Sequence, residues 1–193
     1  MPPDGPLPPA EAGSWGALSR LPGNPMIWIL ILSELAAFGA FFIAFAAARL
    51  AEPELFRTAQ GELDRFLGAV NTLVLVTSGL CAALGVRARL DGEIGRCRAW
   101  LGGAMLLGLV FLVVKLLEYA DKIGRGLTLT TNHFFELYYL MTGFHALHVV
   151  MGIVLLGIVA WRASRENVET GAAFWHMVDL IWVMLFPVVY LIR

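Results

Sequence analysis

Apolar residues run along this chain in five long blocks, Ile27–Ala48, Phe66–Val86, Ala99–Leu117, Phe134–Trp161 and Ala172–Ile192, separated by short polar segments. A hydrocarbon layer about 30 Å thick is crossed by about 20 helical residues, and each block is long enough to do so. Within a bilayer the backbone has no water to bond to, so such blocks must form helices that satisfy their own N–H and C=O groups. The pattern predicts an all-α integral membrane bundle of five transmembrane helices. The second block carries no charge, and the fourth exceeds what a bilayer needs and is expected to tilt or project. The fifth holds Pro187 near its end, where neighbouring helices can satisfy the backbone groups that proline frees. Ahead of the first block, Met1–Pro25 is rich in Pro, Gly and Ala. It lacks the basic stretch and apolar run of a signal peptide. It is expected to be a mobile N-terminal tail, residues 1–25, ending in the turn signal Pro22-Gly23-Asn24-Pro25. Residues 26–193 then make up the membrane domain.

Composition agrees with this reading and narrows the class. The chain is 59% hydrophobic and 15% charged with a mean hydropathy of +0.73, whereas soluble domains are roughly 45–50% apolar and about 25% charged. A formal net charge of −1 and the lack of any Lys/Arg block argue against a nucleic-acid partner. Cys81 falls in an apolar block and Cys97 in a short Arg-rich loop, a spacing that suits neither a zinc site nor a disulfide framework. No internal repeat is evident, which weakens a transporter built on inverted repeats. Positive charges divide almost evenly between the two sides of the five-span topology. Arg87, Arg89, Arg96 and Arg98 nevertheless crowd into the most compact loop, where the positive-inside rule is most reliable. That loop and the N-terminus are expected in the cytoplasm, with Arg193 on the periplasmic side.

Ionisable residues within the spans are the candidate functional positions, because each is costly in lipid and must face the bundle, a partner or a wet cavity. Glu34 shares a helical stripe with Ile31, Phe38, Phe41 and Phe45. It is either an acid hydrogen-bonded to a neighbouring helix or a reactive acid in a lipid-lined cleft. Lys115 and Glu118 stand at i, i+3 near the end of the third span and can pair. The spacing suggests a surface-level ion pair, with Lys115 snorkelling to the interface. His145 and His148 lie at i, i+3 on the fourth helix, and His176 lies near the start of the fifth. Two histidines of one helix suit haem or metal poorly, and no Glu-x-x-His pair recurs on two helices as a dimetal site requires. Histidines bridging helices by hydrogen bonds fit better. Trp175, Asp179, Trp182 and Phe186 form one stripe of the fifth helix, with Trp175 read as part of an interfacial aromatic belt. Asp179, being deeper, needs a partner in His176 or on another helix. Gly39, Gly143 and Gly152 offer close backbone approach.

These motifs carry a resemblance. Ile31-Leu32-Ser33-Glu34-Leu35 with Phe38 and Phe41-Phe42, Asn71-Thr72 with Thr77-Ser78-Gly79, and Glu118-Tyr119 are similar to segments of subunit III of the haem-copper oxidases. The most specific are the run Thr142-Gly143-Phe144-His145-Ala146-Leu147-His148 and the run Trp175-His176-Met177-Val178-Asp179-Leu180-Ile181-Trp182 followed by Phe186-Pro187. The match extends from about Pro22 to Arg193. Longer members resemble this chain plus two N-terminal helices. The turn Leu129-Thr130-Thr131-Asn132-His133, the Pro22-Gly23 lead-in and the short length look more like the NorE-like branch, which is associated with bacterial nitric oxide reductase; a short subunit III of a terminal oxidase is the alternative. The resemblance implies a non-catalytic accessory subunit of a bacterial plasma-membrane respiratory complex, without haem or copper of its own. Its partners would be membrane lipids and the catalytic subunit of a nitric oxide reductase or haem-copper oxidase. It implies that Glu34 corresponds to a carbodiimide-reactive carboxylate. It further implies that Glu118, His145, His148, His176 and Asp179 brace the bundle and a lipid-filled cleft, with the first helices docking on the catalytic subunit. Two other classes compete: a stand-alone membrane cytochrome using His145, His148 and His176, and a small transporter using Glu34 and Asp179 as relay acids.

Overall fold

The computed structural model of the chain describes residues 25–192, so the expected N-terminal tail lies outside the described residues apart from Pro25, which opens the first helix. Six α-helices follow in order: α1 (Pro25–Ala51), α2 (Pro53–Gly61), α3 (Arg65–Leu90), α4 (Ile94–Gly124), α5 (His133–Arg162) and α6 (Arg165–Phe186). A π-helical segment, Pro187–Leu191, continues α6. Five of these are long and apolar enough to cross a membrane: α1, α3, α4, α5 and α6 with its π extension. The predicted spans are all present but shorter than the helices that contain them. Polar caps rather than the ends of the apolar blocks set the boundaries. Asp64, Asn132 and Ser164 each accept a hydrogen bond from the backbone N–H three residues on, starting α3, α5 and α6. The fifth span therefore begins at Arg165, seven residues ahead of its apolar block. Gly92 and Gly126 adopt φ of 81° and 79° after α3 and α4. Those left-handed residues let Glu93 and Leu127 bond back to the carbonyls of Ala88 and Lys122.

Hydropathy alone does not reveal α2. Its nine residues place Phe56, Ala59 and Gln60 inward and Glu54, Arg57 and Thr58 outward, and Pro53 opens it where no helical N–H bond is lost. Phe56 packs edge-on against Phe45 of α1 and Phe134 of α5 at ring separations of 5.2 and 5.4 Å. Gln60 reaches the far end of the chain, donating to the Val189 carbonyl at 2.9 Å. Arg49 bonds the Ile192 carbonyl at 2.6 Å. Pro187 cannot donate a backbone hydrogen bond, and the wider π turn ends with Ile192 N–H on the Pro187 carbonyl. These two side chains supply donors to carbonyls that the distorted helix end leaves over.

α3 and α4 form an antiparallel hairpin, α6 packs between α3 and α5, and α1 rests on α5 and α6. Large apolar side chains such as Leu73, Leu80, Leu106, Leu116, Leu147 and Val154 point outward, as lipid-facing positions should, while polar groups turn inward. Small residues make the tight interior. A Cβ on Gly108 of α4 or Gly152 of α5 would lie 2.7 Å from the Trp175 ring, which is completely buried between them. Trp175 Nε1 donates to Ser78 Oγ at 3.1 Å. The belt assignment of Trp175 is thus corrected: the ring is an interhelical wedge, because two glycines on different helices open a slot for it. Gly39 meets nothing within 4 Å in this chain, and Gly143 only the Tyr119 hydroxyl at 4.0 Å. Of these three glycines, Gly152 is the one that gives close approach between helices of this chain.

Candidate functional site

Ionisable groups inside the bundle gather in two clusters. Near the start of α1, Glu34 Oε2 lies 3.0 Å from Nε2 of His148 on α5. The His148 Nδ1 lies 2.8 Å from the Phe144 carbonyl. A carbonyl only accepts, so Nδ1 carries a proton and Nε2 must share a second one with the carboxyl. Phe38 and Phe144 pack on the imidazole at ring separations of 5.5 and 4.7 Å. Ile31, Phe38 and Phe45 of the Glu34 stripe are buried, so this stripe faces the bundle. Of the two environments open to Glu34, the structure shows the hydrogen bond to a neighbouring helix, with its side chain 19% exposed.

Deeper along α4 is a closed polar cluster. Lys115 Nζ donates to Glu118 Oε2 at 3.0 Å, to the Tyr138 hydroxyl at 3.1 Å and to the Tyr190 hydroxyl at 2.6 Å. Tyr138 and Tyr190 in turn donate to Glu118 Oε1 at 3.0 and 2.8 Å. All three ammonium hydrogens and both phenol hydrogens find acceptors, which is what a buried ion pair needs in low dielectric. Rings of Tyr119, Tyr138, Trp182 and Tyr190 surround the ammonium at 4.8–5.2 Å from their centroids. The surface-level reading of this pair is corrected. Lys115 is 1% exposed and cannot snorkel, because α5 and the π segment close over it. Tyr138 and Tyr190 are the residues that sequence reasoning missed. Tyr138 lies seven residues before His145 on one face of α5 and was findable by that spacing. The π turn shifts Tyr190 out of any regular helical register, so no periodicity signals it.

His145 differs from the bridging role expected of it. It is fully buried and neither ring nitrogen has a hydrogen-bond partner among the described residues. Its ring instead lies 5.0 Å from Trp182 and 5.6 Å from Phe111, enclosed by aromatic faces from three helices. His176 is half exposed, its Nδ1 3.9 Å from Asp179 Oδ2, beyond hydrogen-bond reach. Asn71 and Ser78 of α3 donate to carbonyls of α4 at 3.2 and 2.7 Å, and Trp182 Nε1 to Thr72 Oγ1 at 3.0 Å. The structure thus joins Glu34 with His148, places Glu118 in the lysine cluster, and leaves His145, His176 and Asp179 outside both. Among the described residues no three His, Cys, Asp or Glu side chains come together as a metal-binding group.

Five apolar membrane-crossing helices stitched by buried polar side chains define a multi-pass helical membrane protein. Residues 24–192 match the family described as Cytochrome c oxidase subunit III. Cytochrome c oxidase subunit 3 of Synechocystis sp. is 31% identical over 173 residues, covering 85% of this chain and 73% of that protein. The Thermostichus vulcanus protein of the same name is 34% identical, with 85% and 84% covered. The probable cytochrome c oxidase subunit 3 of Mycobacterium tuberculosis strain H37Rv is 30% identical over 176 residues, with 87% and 86% covered. The chain belongs to the cytochrome c oxidase subunit III family.

Proposed function

We propose that this chain is a non-catalytic accessory subunit of an aerobic haem-copper oxidase, holding the catalytic subunit in its assembled, stable form within the membrane. The observation that carries this reading is the family match across the whole membrane domain, residues 24–192, shared with relatives named as cytochrome c oxidase subunit 3. The interior supports it. Four of its ionisable groups are engaged in structural pairs, Glu34 with His148 and Lys115 with Glu118.

The terminal-oxidase alternative thereby takes precedence over the NorE-like branch. The turn before α5 was one of the sequence features that favoured a nitric oxide reductase partner, with the Pro22-Gly23 lead-in and the short length. It has a local task instead: Thr131 Oγ1 accepts from Thr128 N–H at 2.8 Å and Asn132 caps α5. Those bonds account for the residue types without reference to any partner. Purification of the tagged full chain in mild detergent, followed by spectra and turnover assays, tests the proposal. The expected result is a co-purified haem-copper subunit that reduces oxygen. Recovery of a subunit that reduces nitric oxide but not oxygen would return the NorE-like reading, and repeated recovery of homo-oligomers alone would overturn the accessory role.

A further inference from the structure

Between α3 and α6 the lipid-facing surface is notched. Val76, Leu80 and Ala83 from α3 and Leu180 and Val183 from α6 wall a groove of about 320 Å³, with Gly79, Asp179 and His176 completing its lining. Asp179 is only 8% exposed; its Oδ1 is closed off inside the bundle with no hydrogen-bond partner among the described residues, which leaves Oδ2 as the oxygen that a group in the groove can reach. Oδ2 lies 3.9 Å from His176 Nδ1. Gly79 is what admits the carboxyl, since a Cβ there would collide with Oδ2. Asp179 stands near the middle of the 27-residue span Arg165–Leu191, roughly 20 Å from either end at about 1.5 Å per residue. A carboxyl without a partner inside a membrane-crossing helix is costly. Nothing else in the described chain offsets that cost.

We infer that the Asp179 notch is the docking point for a transmembrane helix of the catalytic subunit, which seats a bulky side chain bearing an N–H or O–H donor against the carboxyl. The inference rests on the accessory-subunit reading and names the face it uses. Charge complementarity selects the occupant: the groove offers an acceptor and apolar walls, so an indole, phenol or guanidinium fits and a saturated acyl chain leaves the acid unpaired. The neighbouring groove between α1 and α6, lined by Trp28, Ile31 and Leu35 from α1, shares His176 and Leu180 with the notch. The docking face therefore continues from α3 across α6 to α1.

The test uses the full chain in cells that make the complete oxidase. A photoreactive benzoylphenylalanine replaces Leu80 or Val183, and in control cells Leu109 or Val113 on the outer face of α4. Adducts with the catalytic subunit from the first two positions and not from the controls are expected. Adducts from Leu80 and Val183 to lipid or to a second copy of this chain only would overturn the inference. So would catalytic-subunit adducts confined to Leu32 and Ile43 on α1, although the accessory role would then stand. In a parallel pull-down, Asp179→Leu is expected to lower recovery of the catalytic subunit roughly three- to tenfold, while Asp179→Asn, which keeps an acceptor oxygen, retains most of it. Undiminished recovery with Asp179→Leu refutes the docking role; absence of the catalytic subunit even with the unaltered chain refutes the accessory reading beneath it.

Discussion

Lys115→Met is the perturbation that most directly tests how this bundle is held together. Methionine fills much of the lysine volume but removes the ammonium, leaving Glu118 with its two phenol donors and a stranded negative charge in a site that is nearly inaccessible. Breaking a buried ion pair by deleting one partner costs about 3–5 kcal/mol, because the remaining charge stays desolvated. On the scale of roughly 2–4 °C per kcal/mol for a chain of this size, the melting temperature should fall by roughly 6–20 °C. Glu118→Gln should also destabilise, since it strands the ammonium among rings. The double variant, lacking both charges, should recover about 0.5–3 kcal/mol relative to the sum of the singles. Cys97 provides the assay: it is completely buried, so in a Cys81→Ala background a thiol-reactive fluorogenic dye reports the opening of the bundle in detergent. If the two single losses simply add, or if Lys115→Met melts within a degree or two of the parent, the pair does not act as a closed unit and the reasoning fails.

Gly152→Val drives a branched side chain into the buried Trp175 ring and should cost about 1–3 kcal/mol as overpacking, whereas Gly39→Leu, facing open space, should melt like the parent; equal effects at the two sites would contradict the wedge geometry. Glu34→Leu strands His148 Nε2 and is expected to cost about 1–3 kcal/mol, while Glu34→Gln, whose amide can donate to that nitrogen, should cost less than half as much in the same melt. A hydrophobic carbodiimide should label Glu34 in peptide maps; label found on Asp179 or Glu136 instead would count against its accessibility from lipid. For orientation, alkaline phosphatase fused after residue 192 should be active, because the arginine-rich α3–α4 loop is expected in the cytoplasm and five spans put the two ends on opposite sides; an inactive fusion with an active cytoplasmic reporter at the same point reverses the topology.

The five spans were legible in the sequence because membrane insertion judges each helix almost independently, by apolar length against bilayer thickness and by the need to satisfy its own backbone. The residues worth attention were legible for a similar reason: an ionisable group in an apolar block stands out whatever surrounds it. Helical periodicity also correctly put Glu34 on a stripe with Ile31, Phe38 and Phe45, since faces of one helix follow from its own geometry. Which helix meets that face is a different matter. His148 as the partner of Glu34, the glycine slot for Trp175 and the aromatic box around His145 each depend on two or three helices chosen by packing, and a single-helix projection contains none of that. The i, i+3 spacing of Lys115 and Glu118 gave the pair but not its depth, which α5 and the π segment impose by closing over it. Tyr190 was the least accessible to sequence reasoning. Pro187 breaks the 3.6-residue register, and only the tertiary structure, with Gln60 and Arg49 bonding the loosened carbonyls, decides where that phenol points.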